Sequence, residues 1–346
     1  MQAAFQDVLK VIIFPIENGF IPMDPNHHVL FLNGAHCEGL GAFSEGTFEA
    51  VQVFKPAYTS LRETGSDVQP DIRAVGQPAD TTLIALPKNQ IEAKGLIAHG
   101  LVNTKQGGHV CIAAGNKAGG SRIVKTLKTL GVEDVQQDTM SRCRVVWFTL
   151  GGFDKEQVQA AIEASKPQPV LNGEYMSEPG IYGWDKIDRG SALLIQKLEI
   201  PEFQVGADFG CGYGYLSREI LKHVQPKIWA CFDADWRAVQ MCGENLRGLD
   251  TQTELRYDWL DLTQPLRLRE PLDFIVMNPP FHEGQKGKPE IGNAFIKRAA
   301  ESLKPKGQLW MVANNHLPYE QVLQTCFKDV EKRAEDQGFK VYKAVK

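Results

Sequence analysis

The stretch QVGADFGCGYGYLS, residues 204–217, decides the fold. Its apolar first half is typical of a buried β-strand, and the residues from Tyr215 onward continue into a helical pattern. The glycines between them, Gly210, Gly212 and Gly214, permit a tight turn and a close approach of the backbone to a ligand. A strand that passes through a glycine-rich turn into a helix predicts a doubly wound α/β sheet with a ligand site at the carboxyl ends of its strands.

The same alternation of apolar runs and helical patterns extends along most of the chain. We predict strands at 28–34, 81–87, 109–115, 143–150, 204–210, 227–233, 272–278, 307–314 and 339–345, and helices at 90–101, 121–130, 215–223, 236–246 and 292–303. Strands that alternate with helices indicate βαβ units and parallel sheets. A length of 346 residues favours two domains, and the mixed stretch 151–180 predicts a joint between domains at 1–165 and 176–346.

The two halves resemble each other. TTLIALPKN (81–89) and LDFIVMNPPFH (272–282) are each followed by a helical pattern, a Gly-containing turn and another strand. This repetition predicts a duplication of one α/β unit. Aligned by their prolines, Pro87 stands opposite Asn278 and Lys88 opposite Pro279, so we expect the first half to lack the polar group that the second half retains.

Composition limits the function classes. The chain is 43% hydrophobic and 23% charged with a net charge of −4, which is typical of a globular enzyme rather than a basic nucleic-acid scaffold. A local basic patch can still bind RNA. The basic residues of the KGK stretch (286–288) and of the segment after it form either such a patch or a solvated helix face: Lys286, Lys288, Lys297, Arg298, Lys304 and Lys306.

Cysteine usage and hydropathy bear on location. Seven cysteines with no CxxC pair predict neither a disulfide framework nor a zinc site, so we expect no metal and a reduced, cytoplasmic environment. The N-terminal stretch MQAAFQDVLKVIIFPIENGF lacks the basic start of a signal peptide, and no apolar run reaches membrane-spanning length. We therefore expect no membrane partner.

The polar residues around the glycine turn indicate a particular cofactor. The spacing G-x-G-x-G differs from the G-x-G-x-x-G of dinucleotide sites, and Asp208, near the strand end, suits an ammonium better than a pyrophosphate. Asp233 ends the next strand, where a carboxylate can bind ribose hydroxyls, whereas Asp235 is expected to cap the following helix. Asp258, expected in a loop after a third strand, can bind an adenine amino group. In that order these groups match S-adenosylmethionine, with the predicted cofactor-binding residues Asp208, Gly210, Cys211, Gly212, Gly214, Asp233, Asp258 and Asn278.

Asn278-Pro279-Pro280-Phe281 follows a buried strand, and these four residues are the predicted catalytic set. The two prolines stiffen the loop, so that the side-chain oxygen of Asn278 and the carbonyl of Pro279 can hold the two N–H groups of a planar amine. Phe281 offers a face on which a flipped base can stack. His282 either contacts a phosphate or caps the loop.

These motifs resemble class I S-adenosylmethionine-dependent methyltransferases that modify a conjugated amino group. NPPFHEG, the closing FKVYKA and GIYGWDKIDRGS (180–191) are similar to the guanine-N2 methyltransferases of small-subunit (16S) ribosomal RNA. The resemblance implies two Rossmann-like methyltransferase domains in tandem, the first degenerate and serving structural support and RNA docking. It also implies a monomer whose partner is ribosomal RNA, naked or in an assembled small subunit. Tyr182 and Trp184 depart from the expected pattern.

Other functions remain open on the sequence. A guanine-N2 enzyme of 23S ribosomal RNA would carry the same residues, and an NPPF/Y-type enzyme could act on adenine N6 or a protein glutamine, although those more often carry Tyr at the position of Phe281. A dinucleotide oxidoreductase lacks the required glycine spacing here. A non-catalytic binding module would not need the intact Asn278.

Overall fold

The computed structural model describes residues 3–24, 26–37, 47–280 and 290–346. Within them the chain divides into two compact units, Met1–Lys166 (unit 1) and Pro167–Lys346 (unit 2). The predicted site residues Phe281 and His282, and the predicted patch residues Lys286 and Lys288, lie outside the described residues.

Unit 1 is built on one seven-stranded sheet. Its strands are β1 His28–Leu32, β2 Thr47–Val51, β3 Asp67–Gln69, β4 Ala79–Ala85, β5 Thr104–Gly115, β6 Gln136–Met140 and β7 Cys143–Thr149. Its helices are α1 Ala3–Ile12, α2 Phe14–Glu17, α3 Lys55–Glu63, α4 Gln90–Val102, α5 Ile123–Thr129 and α6 Lys155–Ser165.

Unit 2 begins with a small two-stranded sheet and continues into a second seven-stranded one. Its strands are β8 Gln168–Val170, β9 Tyr175–Ser177, β10 Val205–Phe209, β11 Ile228–Asp233, β12 Glu254–Trp259, β13 Leu272–Met277, β14 Leu303–Asn314, β15 Asp329–Asp336 and β16 Phe339–Val345. Its helices are α7 Arg189–Lys197, α8 Tyr215–Leu221, α9 Trp236–Leu246, α10 Glu290–Ser302 and α11 Glu320–Cys326.

The two large sheets have the same topology. Their orders are β3-β2-β1-β4-β5-β7-β6 and β12-β11-β10-β13-β14-β16-β15. The first five strands of each are parallel, whereas β7 and β16 pair antiparallel to β5 and β14. The prediction of two doubly wound α/β domains is confirmed, but the prediction of wholly parallel sheets is wrong at one edge. There each sheet ends in an antiparallel hairpin, β6–β7 in unit 1 and β15–β16 in unit 2. The turn residues of these hairpins adopt the positive φ that tight hairpins require, as in Ser141 and Arg142.

The sheets also agree in register. Leu32 lies opposite Ile84 across β1 and β4, as Phe209 lies opposite Met277 across β10 and β13. Both sheets have a register irregularity at the same place, after the first residue of β4 and of β13. A shared irregularity is a stronger sign of duplication than shared strand order.

This register corrects the alignment of the two halves. Because Ile84 corresponds to Met277, Asn278 corresponds to Ala85 and not to Pro87. The error came from aligning prolines, which sit at different distances from the two strand ends. Ala85 has no side-chain hydrogen-bonding group, so the expectation that unit 1 lacks the polar group is retained.

Helices cover both faces of the sheet in unit 2. On one face, Leu216 of α8 and Leu246 of α9 pack with the buried Trp229 of β11. On the other, Phe295 of α10 and Leu323 of α11 pack against residues of β13 and β14. This double layer fixes the strand ends and therefore the positions of the residues that follow them.

Candidate active site

All three glycines of the turn after β10 have a positive φ, including Gly212 (φ +53°). Gly210 (φ +84°) and Gly214 (φ +94°) have left-handed backbone conformations, and a Cβ on Gly214 would lie 3.0 Å from the sulfur of Cys242. The N–H of Gly210 donates to the carbonyl of Phe232 over 2.8 Å, which joins the turn to the end of β11. A Cβ on Gly212 would meet nothing within 4 Å, so the backbone there borders open space.

Asp233 lies at the end of β11, directly beside this turn. One carboxylate oxygen accepts the N–H of Gly212 and the other accepts the N–H of Asp235, each over 2.9 Å. Burial raises the pKa of Asp233 to about 6, against the opposing effect of these N–H groups. Asp235 accepts the N–H of Arg237 over 2.9 Å, which confirms that it caps α9. The ribose-binding role of Asp233 stays a prediction.

Asp208 lies deeper than expected. It is the penultimate residue of β10, and its side chain is 0% exposed. The Ser217 hydroxyl donates to its Oδ2 over 2.7 Å, and Trp229 Nε1 donates to the same hydroxyl over 2.9 Å. Its Oδ1 is buried without a partner in the described residues. Burial raises the pKa of Asp208 to about 7, opposed by Ser217. In this conformation the Asp208 side chain is buried between β10 and α8 and does not reach the surface of the glycine turn.

Asp258 is not in a loop after the third strand, as predicted. It lies within β12, exposed, with Phe232 as its neighbour on β11. Only Trp259 follows it in the strand, so the carboxylate still lies near the carboxyl edge of the sheet. Cys211 is buried within the glycine turn, and burial raises the pKa of its thiol well above its usual range.

Asn278 follows β13 directly and is half-buried. Its amide nitrogen donates to Asp188 Oδ1 over 2.8 Å and to Ser191 Oγ over 2.9 Å. No donor in the described parts of the chain lies within hydrogen-bonding distance of its side-chain oxygen. Pro279 is buried and Pro280 is exposed. The structure thus leaves an amide oxygen as a free acceptor at the strand end where the catalytic group was predicted.

The sequence analysis singled out the stretch 180–191 but assigned no role to Asp188 or Ser191 within it. Asp188 caps α7 by accepting the N–H of Ser191 over 2.9 Å. Gly190 lies between them, where a Cβ would come within 2.9 Å of the Phe339 ring and 3.0 Å of Asp188 Oδ1. The spacing Asp-Arg-Gly-Ser is a recognisable helix start, but its contact with a residue 87–90 positions away is visible only in the fold.

The carboxylates at this edge suit a cationic ligand. Asp233 and Asp258 lie at or next to the carboxyl ends of β11 and β12, whereas Asp235 and Asp188 cap the amino ends of α9 and α7. Carboxylates at these positions favour cations and repel phosphates. Within the described residues, no three His, Cys, Asp or Glu side chains are placed to hold a metal ion. Among the described helices, none has the length and apolar composition needed to cross a membrane.

Two protein-family models match the chain. The model described as "Methyltransferase small domain" covers residues 172–343, within unit 2. The model described as "Methyltransferase small domain N-terminal" covers residues 26–163, within unit 1. The two matches follow the structural division of the chain.

Individual proteins agree with these matches. The chain is 30% identical over 274 residues to ribosomal RNA small subunit methyltransferase C of Shewanella sediminis, covering 76% of each chain. It is 29% identical over 278 residues to the protein of that name from Pseudomonas aeruginosa strain LESB58, covering 79% and 81%. Its fold is similar to the T. thermophilus 16S rRNA N2 methyltransferase solved with AdoMet and guanosine (TM-score 0.79, 21% identity, 99% and 91% covered). The chain therefore belongs to the ribosomal RNA small subunit methyltransferase C family.

Proposed function

We propose that unit 2 transfers a methyl group from S-adenosylmethionine to the exocyclic N2 amine of a guanine in 16S ribosomal RNA. The observation that carries this is the free side-chain oxygen of Asn278 beside the glycine turn. The relatives named above are small-subunit ribosomal RNA methyltransferases, and the T. thermophilus protein was solved with AdoMet and guanosine.

The residues of the glycine turn fit the cofactor. Open space at Gly212 lets the backbone approach a ligand, and the carboxylate of Asp233, next to it, can accept the two ribose hydroxyls. Asp258, near the end of β12, is placed to accept an adenine amino group. The unpaired, buried Oδ1 of Asp208 marks a polar position beneath the turn. When bound, the cofactor supplies an electrophilic methyl group on a sulfonium.

The substrate amine needs activation because its lone pair is delocalised into the guanine ring. The oxygen of Asn278 and the carbonyl of Pro279 would each accept one N–H and draw the nitrogen toward tetrahedral geometry. The nitrogen then forms the new N–C bond as the S–C bond breaks, and the cationic product loses a proton to water. No strong base is needed, and most of the rate comes from positioning, which contributes up to roughly 7–11 kcal/mol in ideal cases.

We further propose that unit 1 binds no cofactor and docks the RNA. Its four exposed cations at the carboxyl edge of the sheet support this: Lys88, Lys117, Arg122 and Arg142. In the described part of the chain none of them forms an ion pair. Unpaired cations along one edge suit an RNA phosphate backbone.

Mass spectrometry of ribosomal RNA from cells with and without the protein tests the main proposal. We expect one N2-methylguanine to disappear from 16S RNA and to return when the purified protein and S-adenosylmethionine are added. Naked 16S RNA and small subunits, supplied in parallel, identify the preferred substrate. Loss of a 23S guanine, an N6-methyladenine or a methylated glutamine would instead contradict it. The proposed reaction is cytoplasmic, and the protein is expected to act as a monomer.

A further inference from the structure

The amide group of Asn278 has both of its N–H bonds occupied. An amide nitrogen carries two hydrogens, and here they meet two acceptors, Asp188 Oδ1 at 2.8 Å and Ser191 Oγ at 2.9 Å. Two bonds from one nitrogen fix the plane of the amide as well as its position. The oxygen must therefore face away from α7.

The charge of Asp188 decides which way the amide faces. A carboxylate oxygen only accepts hydrogen bonds, so a flipped amide would oppose its own oxygen to Asp188. The flipped form would also direct two N–H groups at the N–H groups of the target amine. Both contacts are repulsive, and both are avoided in the observed orientation.

Asp188 is itself held in place. Its Oδ1 also accepts the N–H of Ser191, and its Oδ2 accepts the hydroxyl of Tyr182 over 3.4 Å. Ser191 is 8% exposed, and Gly190 packs α7 closely against Phe339 of β16. The start of α7 is thus a rigid support whose position is set by the core of unit 2.

We propose that Asp188 and Ser191 are positioning residues that orient the Asn278 oxygen toward the target amine. This inference rests on the proposed methyl transfer. It adds the two hydrogen-bond acceptors that fix the orientation of the Asn278 side chain. The two residues act through Asn278 and need not touch the substrate or the cofactor. Tyr182, which departs from the family pattern, contributes by bonding the second oxygen of Asp188.

Asp188→Asn is the sharpest test, because asparagine keeps the size and the capping ability of aspartate but can pair with either orientation of the Asn278 amide. We expect kcat to fall about tenfold, in line with one hydrogen bond lost in the transition state, while the Kd for S-adenosylmethionine stays within about twofold. Ser191→Ala should also lower kcat, but by a smaller factor. Asp154→Asn, at the cap of α6 in unit 1, is the matched control and should leave kcat unchanged.

A double-mutant cycle separates orientation from general damage. In an Asn278→Ala background, Asp188→Asn should cause no further loss of single-turnover rate. An equal loss in both backgrounds would overturn the proposal, as would full kcat in Asp188→Asn.

A second readout does not depend on activity. With asparagine labelled by ¹⁵N, the side-chain NH₂ of Asn278, assigned through Asn278→Ala, should exchange with solvent slowly in the wild type and faster in Asp188→Asn. Fast exchange in the wild type would contradict the inference even if methyl transfer is normal. Slow exchange in a protein that methylates no guanine would refute the proposed function and leave the orientation intact.

Discussion

Units 1 and 2 have sheets of the same topology that differ at the carboxyl edge. In unit 2, Gly210 and Asp233 stand at the ends of β10 and β11, and the backbone of the nearby Gly212 borders open space. At the corresponding positions of unit 1, Asn33 donates to the carbonyl of Ala85 over 2.7 Å and Gln52 donates to the carbonyl of Gly34. Gln52 is only 2% exposed, so these side chains bridge the strand ends of unit 1. If only unit 2 binds the cofactor, as proposed, binding depends on a few positions at the edge and not on the sheet itself.

The same edges also differ in charge. Unit 2 presents carboxylates such as Asp233 and Asp258, which suit a cationic cofactor. Unit 1 presents Lys88 and Arg142. Lys88 stands three residues after Ala85, as Phe281 stands three residues after Asn278, so a cation replaces the aromatic residue of the predicted catalytic loop. Under the proposed function, one copy of the duplicated unit would retain the groups for chemistry and the other would carry groups that bind phosphate.

The largest expected effect comes from Asn278→Ala. It should lower kcat by roughly 10²–10³-fold, as removal of a positioned transition-state hydrogen-bonding group does, and leave cofactor affinity nearly unchanged. The reverse change at the corresponding position of unit 1, Ala85→Asn, should alter neither kcat nor cofactor affinity. Steady-state kinetics on small subunits would check both. Full turnover in Asn278→Ala would show that the NPPF loop is only a structural turn.

Asp233→Ala should weaken S-adenosylmethionine binding by roughly 10–100-fold, because hydrogen bonds to a charged group contribute about 1.5–3 kcal/mol. Gln52→Ala, at the matching position of unit 1, should leave binding unchanged. Calorimetric titration of each variant gives the comparison. If Gln52→Ala lost more affinity for S-adenosylmethionine than Asp233→Ala, the cofactor site would have to be assigned to unit 1 instead of unit 2.

Asp208→Asn tests what the buried carboxylate costs unit 2, whose counterpart in unit 1 is the apolar Phe31. The folded pKa of Asp208 is raised to about 7, so its protonated form is favoured in the fold. The contribution of protonated Asp208 to the free energy of unfolding is complete below about pH 4 and is lost as the pH rises through 7. The stability of Asp208→Asn relative to the wild type should therefore be greater at pH 8 than at pH 4. Thermal unfolding at the two pH values decides; equal differences at both would contradict the burial account.

The smallest expected effect concerns RNA docking. Lys88→Glu should weaken RNA binding about threefold and reduce the slope of log K against log salt by about one per charge removed, without changing kcat. Lys128→Glu, in the last turn of α5, is the control and should have little effect. Filter binding across a salt series measures both. Identical curves for Lys88→Glu and the wild type would remove this edge of unit 1 from the docking surface.

The sequence predicts the bounds of helices, strands and turns well where local sequence signals agree with the fold. The helix predicted at 236–246 matches α9 at both ends, because Asp235 is a clear cap and the apolar positions recur at helical spacing. The glycine turn and the strand end at Asn278 are likewise local features, and the structure places both where they were expected.

Edge strands were missed for a physical reason. β15 reads DVEKRAED, a charged composition that does not favour a strand, and only its pairing with β16 makes it one. β12 does alternate, as ELRYDW, and that signal could have placed Asp258 in a strand. The hydrogen bonds between Asp188 and Asn278 join distant segments, which no local pattern reveals.

The stoichiometry of S-adenosylmethionine binding tests the difference between the two units most directly. Calorimetric titration of the full chain should give about one molecule bound per chain, because Gln52 and Asn33 bridge the edge of unit 1 that Asp233 and Gly212 leave open in unit 2. Two molecules per chain, or one that remains bound with full affinity in Asp233→Ala, would contradict the account.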